Sequence, residues 1–132
     1  MLCLENFNRL GDRYFRFQYS LQDNRYLSVV LFREEVEVTN DRFSEVLPQI
    51  NSTLEWLNCN VDEIRLQVIK NLPSEANPDI FDTLWIVSFS LNFEIDSTLA
   101  IQIVYGDETG CYLGATIKDK IVCDVWLNAN SF

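Results

Sequence analysis

Apolar and polar residues alternate or recur at regular intervals along this chain, and the intervals change from one segment to the next. Phe15, Phe17, Tyr19 and Leu21 alternate with Arg16, Gln18 and Ser20. That period of two is the mark of a half-buried strand. Gln22 to Arg25 reads as a turn, and Tyr26 to Phe32, rich in Val, Leu and aromatics, reads as a second strand. Together they predict an antiparallel hairpin. Val36 and Val38 extend the second strand or form a short third piece. From Thr39 the period lengthens. Thr39-Asn40-Asp41 is a helix start signal, because short polar side chains accept hydrogen bonds from the free N–H groups of a first turn. Phe43, Val46, Leu47, Ile50, Leu54 and Leu57 follow at helical spacing, with Pro48 among them predicting a kink or a break. Asn60 and Glu63 have capping-box spacing. Ile64, Val68, Ile69 and Leu72 supply the apolar stripe of a further helix, which Pro73 ends.

After a loop from Pro73 to Pro78 and a short helical turn near Asp79 to Leu84, alternation returns. Trp85, Val87, Phe89, Leu91, Phe93 and Ile95 predict the dry face of a long strand. Asp96-Ser97 turns it. Leu99 to Tyr105, Tyr112 to Ile117 and Ile121 to Leu127 follow as strands, with turns at Gly106 to Gly110 and Lys118 to Lys120. Strands segregated from helices predict an α+β fold. The expected architecture is an antiparallel sheet, made of an N-terminal hairpin and a C-terminal four-stranded meander, with two or three helices packed on one face. A length of 132 residues fits one domain, residues 1–132, with a core that needs no disulfide or metal.

Composition changes this picture mainly by exclusion. There is no histidine. The commonest general base and metal ligand is therefore missing, and Ser-His-Asp and Cys-His nucleophile arrangements cannot be built. No phosphate-cradling glycine motif occurs. Cys3, Cys59, Cys111 and Cys123 lack C-x-x-C spacing and are expected to be reduced and mostly buried, with Cys3 the exposed one. The carboxylate groups Glu34-Glu35-x-Glu37 and Asp107-Glu108 match no calcium loop, and read as solvated edges and turns. No catalytic residue, metal ligand or cofactor is expected. No basic N-terminal region leads into an apolar run, and no apolar stretch is long enough to span a bilayer, so a cytoplasmic protein is expected.

The formal net charge is −10. It disfavours nucleic acid and anionic membranes and favours a basic protein partner, whose approach it speeds. Residues 1–72 hold 11 acidic and 8 basic side chains, a net of −3, whereas residues 73–132 hold 9 acidic side chains against Lys118 and Lys120, a net of −7. The expected contact residues are therefore the acids of the meander, Glu94, Asp96, Asp107, Glu108, Asp119 and Asp124. Of Trp56, Trp85 and Trp126, core packing is the ordinary reading. Trp126, beside Asp124 and Asn128, is the one expected to be partly exposed and to serve as an interface anchor.

The segment Leu91-Asn92-Phe93-Glu94-Ile95, Ile101-Gln102-Ile103-Val104-Tyr105, Tyr112-Leu113-Gly114-Ala115-Thr116-Ile117 and Ile121-Val122-Cys123-Asp124-Val125-Trp126-Leu127 resembles the C-terminal part of small bacterial immunity proteins of polymorphic toxin and contact-dependent growth inhibition systems. Members often carry a histidine where this chain has Ala115, so no role of that residue carries over. The resemblance implies a binding protein, not an enzyme, that neutralises a cognate toxin domain. That toxin is expected to be basic, a nuclease being one type. A structural or homodimeric subunit, and a hydrolase working with carboxylates alone, are the alternatives.

Overall fold

The computed structural model describes residues 1–34 and 36–127. Its seven strands form a single sheet in sequence order: β1 (Asn8–Gly11), β2 (Tyr14–Leu21), β3 (Asn24–Phe32), β4 (Trp85–Phe93), β5 (Leu99–Asp107), β6 (Gly110–Lys118) and β7 (Ile121–Leu127). Neighbours are antiparallel except β3 and β4, which run parallel with Val29 beside Ser90 and Phe32 beside Phe93. A parallel pair needs a long crossover. Here it is α1 (Asn40–Cys59), α2 (Val61–Lys70) and a short 3-10 helix, Pro78–Thr83. The fold is α+β, as the alternation of periods predicts. The hairpin and the meander are joined edge to edge through the parallel pair, and β1 adds a strand that the pattern did not announce.

One face of the sheet carries the core. Phe15, Phe17, Val30, Phe32, Phe89, Leu91, Ile103, Tyr105, Leu113 and Ile117 point inward and meet Phe43, Ile50, Leu54 and Leu57 of α1 and Ile64 and Val68 of α2. Phe43 sits at the crossing, with ring centroids 4.8 Å from Phe7, 4.5 Å from Phe15 and 5.9 Å from Phe32. Thr39 caps α1 by accepting a hydrogen bond from the Arg42 N–H at 3.1 Å. Pro48 does not break α1. It and Ser44, whose carbonyl it leaves without a helical donor, are both on the exposed side, where water satisfies the freed group. The apolar stripe therefore runs through uninterrupted. The Asn60 capping box does not form. That side chain donates instead to the Trp56 carbonyl at 2.7 Å.

Three further expectations are corrected. Val36 and Val38 do not extend β3, which ends at Phe32; Val38 is buried in a loop with its N–H on the Asp12 carbonyl. A bulge between Ile86 and Ser88 reverses the parity of β4. Ile86 therefore turns inward, and Trp85 and Val87, expected on the dry face, are 49% and 38% exposed. Ile95 lies beyond the strand and is exposed too. Cys59 and Cys123, expected to be buried, are free and exposed, as Cys3 is.

The Tyr105 hydroxyl is buried without a hydrogen-bond partner among the described residues, its ring 4.9 Å from Phe81. Burial pushes its pKa well above the usual tyrosine range, against a weak opposing pull from Arg65. In the unfolded chain the same hydroxyl ionises near pH 10. Above that pH the unfolded state loses a proton that the folded state keeps. Stability then falls by up to about 1.4 kcal/mol per pH unit from this group. Urea titrations of the wild type and Tyr105→Phe between pH 8 and 11.5 check this. The variant is expected to be as stable or slightly more stable at pH 8, and to decline less steeply above pH 10. Parallel curves would contradict it.

Candidate protein-binding end of the sheet

Because β3 and β4 are parallel, the β2–β3 turn, the start of β4, the end of β5, the β5–β6 turn and the end of β7 all lie at one end of the sheet. The α1–α2 junction comes to the same end, where Asn58 Oδ1 accepts the Gln22 N–H at 2.9 Å. So does the Pro78–Thr83 helix. The Arg65 guanidinium stacks on the Phe81 ring at 4.3 Å and donates to the carbonyls of Leu84, at 2.8 Å, and Phe81. This clasp fastens the returning segment to α2.

The chain thereby collects acids from distant stretches. Asp23 comes from the β2–β3 turn, Asp62 and Glu63 from the first turn of α2, Asp79 and Asp82 from the 3-10 helix, and Asp107 and Glu108 from the β5–β6 turn. All are exposed except the half-buried Asp107. The cations nearby are engaged in hydrogen bonds. Arg65 is turned onto Phe81 and the two carbonyls, and Arg25 donates to Gln18 Oε1. At this end lies a groove of about 300 Å3, walled by Leu21, Tyr26, Val61, Leu84, Trp85 and Tyr105, with both Asp62 and Arg65 on its lining. Tyr26 closes one side, its hydroxyl donating to the Ile86 carbonyl at 3.0 Å. Burial raises its pKa above the usual tyrosine value. Trp85 stands at the lip, half exposed.

The opposite end differs in charge pattern. Glu94 pairs with Arg33 at 3.3 Å, and Glu34 with Arg42 at 3.0 Å. Asp96 and Asp119 stand among Lys118 and Lys120. A second cleft there, about 360 Å3, has an apolar floor of Leu99, Ile101 and Ile117 under Trp56, and its rim carries both Asp119 and Lys120.

The seven residues expected to form one contact surface are thus spread over three places. Asp107 and Glu108 lie at the acidic end. Glu94, Asp96 and Asp119 lie at the mixed end. Asp124 and Trp126 lie on the sheet face away from the helices. Several of these acids have turn-holding work. Asp96 Oδ1 accepts the Thr98 N–H at 3.0 Å, and Asp107 Oδ1 accepts the Thr109 N–H at 2.8 Å and its hydroxyl at 2.6 Å. These hydrogen bonds hold both carboxyls below the usual range. Trp126 is 37% exposed and lies against Gly114, where a Cβ would come within 2.2 Å of the indole. Trp56 is half-buried against the core. Missed at the acidic end were Asp23, Asp62, Glu63, Asp79, Asp82 and Trp85. Asp62, Glu63 and Asp79 occupy first turns of helices, where a carboxylate also favours the helix dipole, and that local role hid their shared location.

Among the described residues no three of Cys, Asp and Glu are placed to hold a metal ion together, and no helix is long and apolar enough to cross a membrane. The groove holds one carboxylate on its wall, Asp62, and the second cleft one, Asp119. No family model, curated protein or solved structure matches the chain.

Proposed function

We propose that this chain is a protein-binding module that takes a basic partner at the acidic end of its sheet. The observation that carries this reading is the gathering of exposed carboxylates from four separate segments around Trp85, with Arg65 tied inward and Arg25 directed to the open sheet face. Such a surface raises the encounter rate with a cationic protein by long-range attraction. An exposed tryptophan beside an apolar groove supplies the kind of anchor that concentrates binding energy. The narrower form of the reading is an immunity protein that covers the basic cleft of a cognate toxin domain, nuclease clefts being common of that kind, with carboxylates standing where substrate phosphates would lie. That form rests on the resemblance of the meander to immunity proteins and on the net charge of −10.

Coexpression with the adjacent reading frame tests it. A tight complex and relief of toxicity are expected, and neither appearing would end the immunity reading. The site is tested by Glu63→Lys, Asp82→Lys and Glu108→Lys combined. Association with the basic partner is expected to slow by about 10- to 1000-fold and to lose its salt dependence. Reversal of Asp96 and Asp119 at the other end is expected to change it little. Equal effects from both ends would remove the acidic end as the contact.

A further inference from the structure

The sheet face away from the helices carries a second, differently charged feature. On β3 the inward residues Tyr26, Val30 and Phe32, with Ser28 between them, are mostly apolar, and the outward residues Leu27, Val29 and Leu31 are all apolar. Strands that are apolar on both faces are characteristic of sheets covered on both faces. Here only one face is covered. Leu27 is 57% exposed, and Val29 and Leu31 are half-buried. Outward residues of β4 beside them are polar: Ser90 next to Val29, and Asn92 next to Leu31. The apolar stripe therefore belongs to β3 and is not general to the face.

Charge on this face is reversed relative to the molecule. Arg16 stands directly across from Val29, and Arg25 lies two residues before Leu27. Arg16 makes no ion pair among the described residues. Lys118 is the third cation of the face, and Asp124, on the far edge strand, is its one carboxylate within the strands.

We propose that this face docks an acidic amphipathic helix of a partner protein, with apolar side chains laid along Leu27, Val29 and Leu31 and carboxylates directed to Arg16 and Arg25. The dimensions agree. Leu27 to Leu31 spans about 13 Å of strand, and helix positions i, i+4 and i+7 span about 10.5 Å. A second copy of this chain fits less well, because two-fold pairing of the face would set Arg16 and Arg25 near their own counterparts. Single-stranded nucleic acid fits less well too. One ring, Tyr14, stands across from Leu31, whereas a strand of bases is held by a series of stacking rings, and the net charge of −10 opposes phosphate. This surface lies apart from the acidic end, and its test uses different variants, so the two readings stand or fall separately.

The test is an amide NMR titration of the full chain with three probes. They are an 18-residue helical peptide with Leu at i, i+3, i+4 and i+7 flanked by Glu, the same peptide with Lys for Glu, and a ten-nucleotide oligothymidylate. The Glu peptide is expected to shift Arg16, Arg25, Leu27, Val29 and Leu31, with affinity falling as salt rises. Leu27→Ser and Arg16→Glu, both at exposed positions, are each expected to weaken it by about tenfold. The Lys peptide is expected to leave these residues unmoved. Shifts located elsewhere, no shifts, or equal response to the Lys peptide would overturn the proposal. So would the oligonucleotide moving the same residues, or those residues moving on simple dilution, which would mark a second copy as the occupant.

Discussion

Replacing Phe43 by alanine is expected to lower the unfolding free energy by about 3–5 kcal/mol, the range for an aromatic removed from a packed core. Phe43 is fully buried and touches Phe7, Phe15 and Phe32. Those rings come from a loop and from two strands of the N-terminal half. The site is poor at collapsing, because β2 and β3 are held in register by their own hydrogen bonds and cannot move inward independently. Cavity cost therefore adds to the lost transfer energy. Urea unfolding reads the effect as a drop in midpoint with the slope retained. Such a loss is a large share of the about 5–15 kcal/mol that domains of this kind possess. Phe43→Leu, which keeps most of the volume, is expected to cost much less. A loss under about 1.5 kcal/mol for the alanine variant would mean that α1 is not the keystone of the N-terminal half.

Removing the Arg65 guanidinium, as Arg65→Met, is expected to cost about 2–3 kcal/mol and to act locally. Two carbonyls, of Phe81 and Leu84, receive charged hydrogen bonds from it, and Phe81 lies beneath it. Hydrogen bonds to charged groups contribute more than neutral ones, and a partly desolvated cation over a ring adds to them. Arg65→Lys is expected to recover little, because an ammonium cannot serve two carbonyls and stack at once. Hydrogen exchange should speed in residues 78–84 well before it does in β5. Since that segment brings Asp79 and Asp82 to the acidic end, binding of a basic partner should weaken in the same variants. A lysine variant with unchanged exchange would show that charge alone holds the segment.

The elements of the fold were legible because each is written in a local period. The hairpin turns at Gln22-Asp23 and Asp119-Lys120 adopt positive φ at both central residues, the geometry that two-residue hairpins need. Their positions were readable from the polar interruptions alone. The helix start at Thr39 was readable for the same reason. Errors arose where one residue changes the phase. The bulge at Ile86 to Ser88 moved Trp85 and Val87 to the outside, and no local signal marks an extra residue in an otherwise regular alternation. Pro48 misled in the other direction, since its cost depends on whether the carbonyl it strands faces water.

The candidate site was less legible. Charge by segment pointed to the meander, but turns from one meander alternate between the two ends of a sheet. Asp107 and Glu108 therefore parted from Glu94, Asp96 and Asp119. Likewise Asp124 and Trp126, at strand positions facing away from the core, were carried onto the open face.

By itself the sequence determined all the strands but β1, the two long helices, most of the core side chains, that no histidine chemistry exists, and that the molecule is strongly acidic. These follow from short-range spacing and from counts. Only the tertiary structure decided where the acids stand together. A parallel β3–β4 pair and its helical crossover bring Asp23, Asp62, Asp79 and Asp107 to one end, while Arg25 and Arg65 turn aside into hydrogen bonds. Both facts depend on contacts between residues far apart in the chain, which no local pattern encodes.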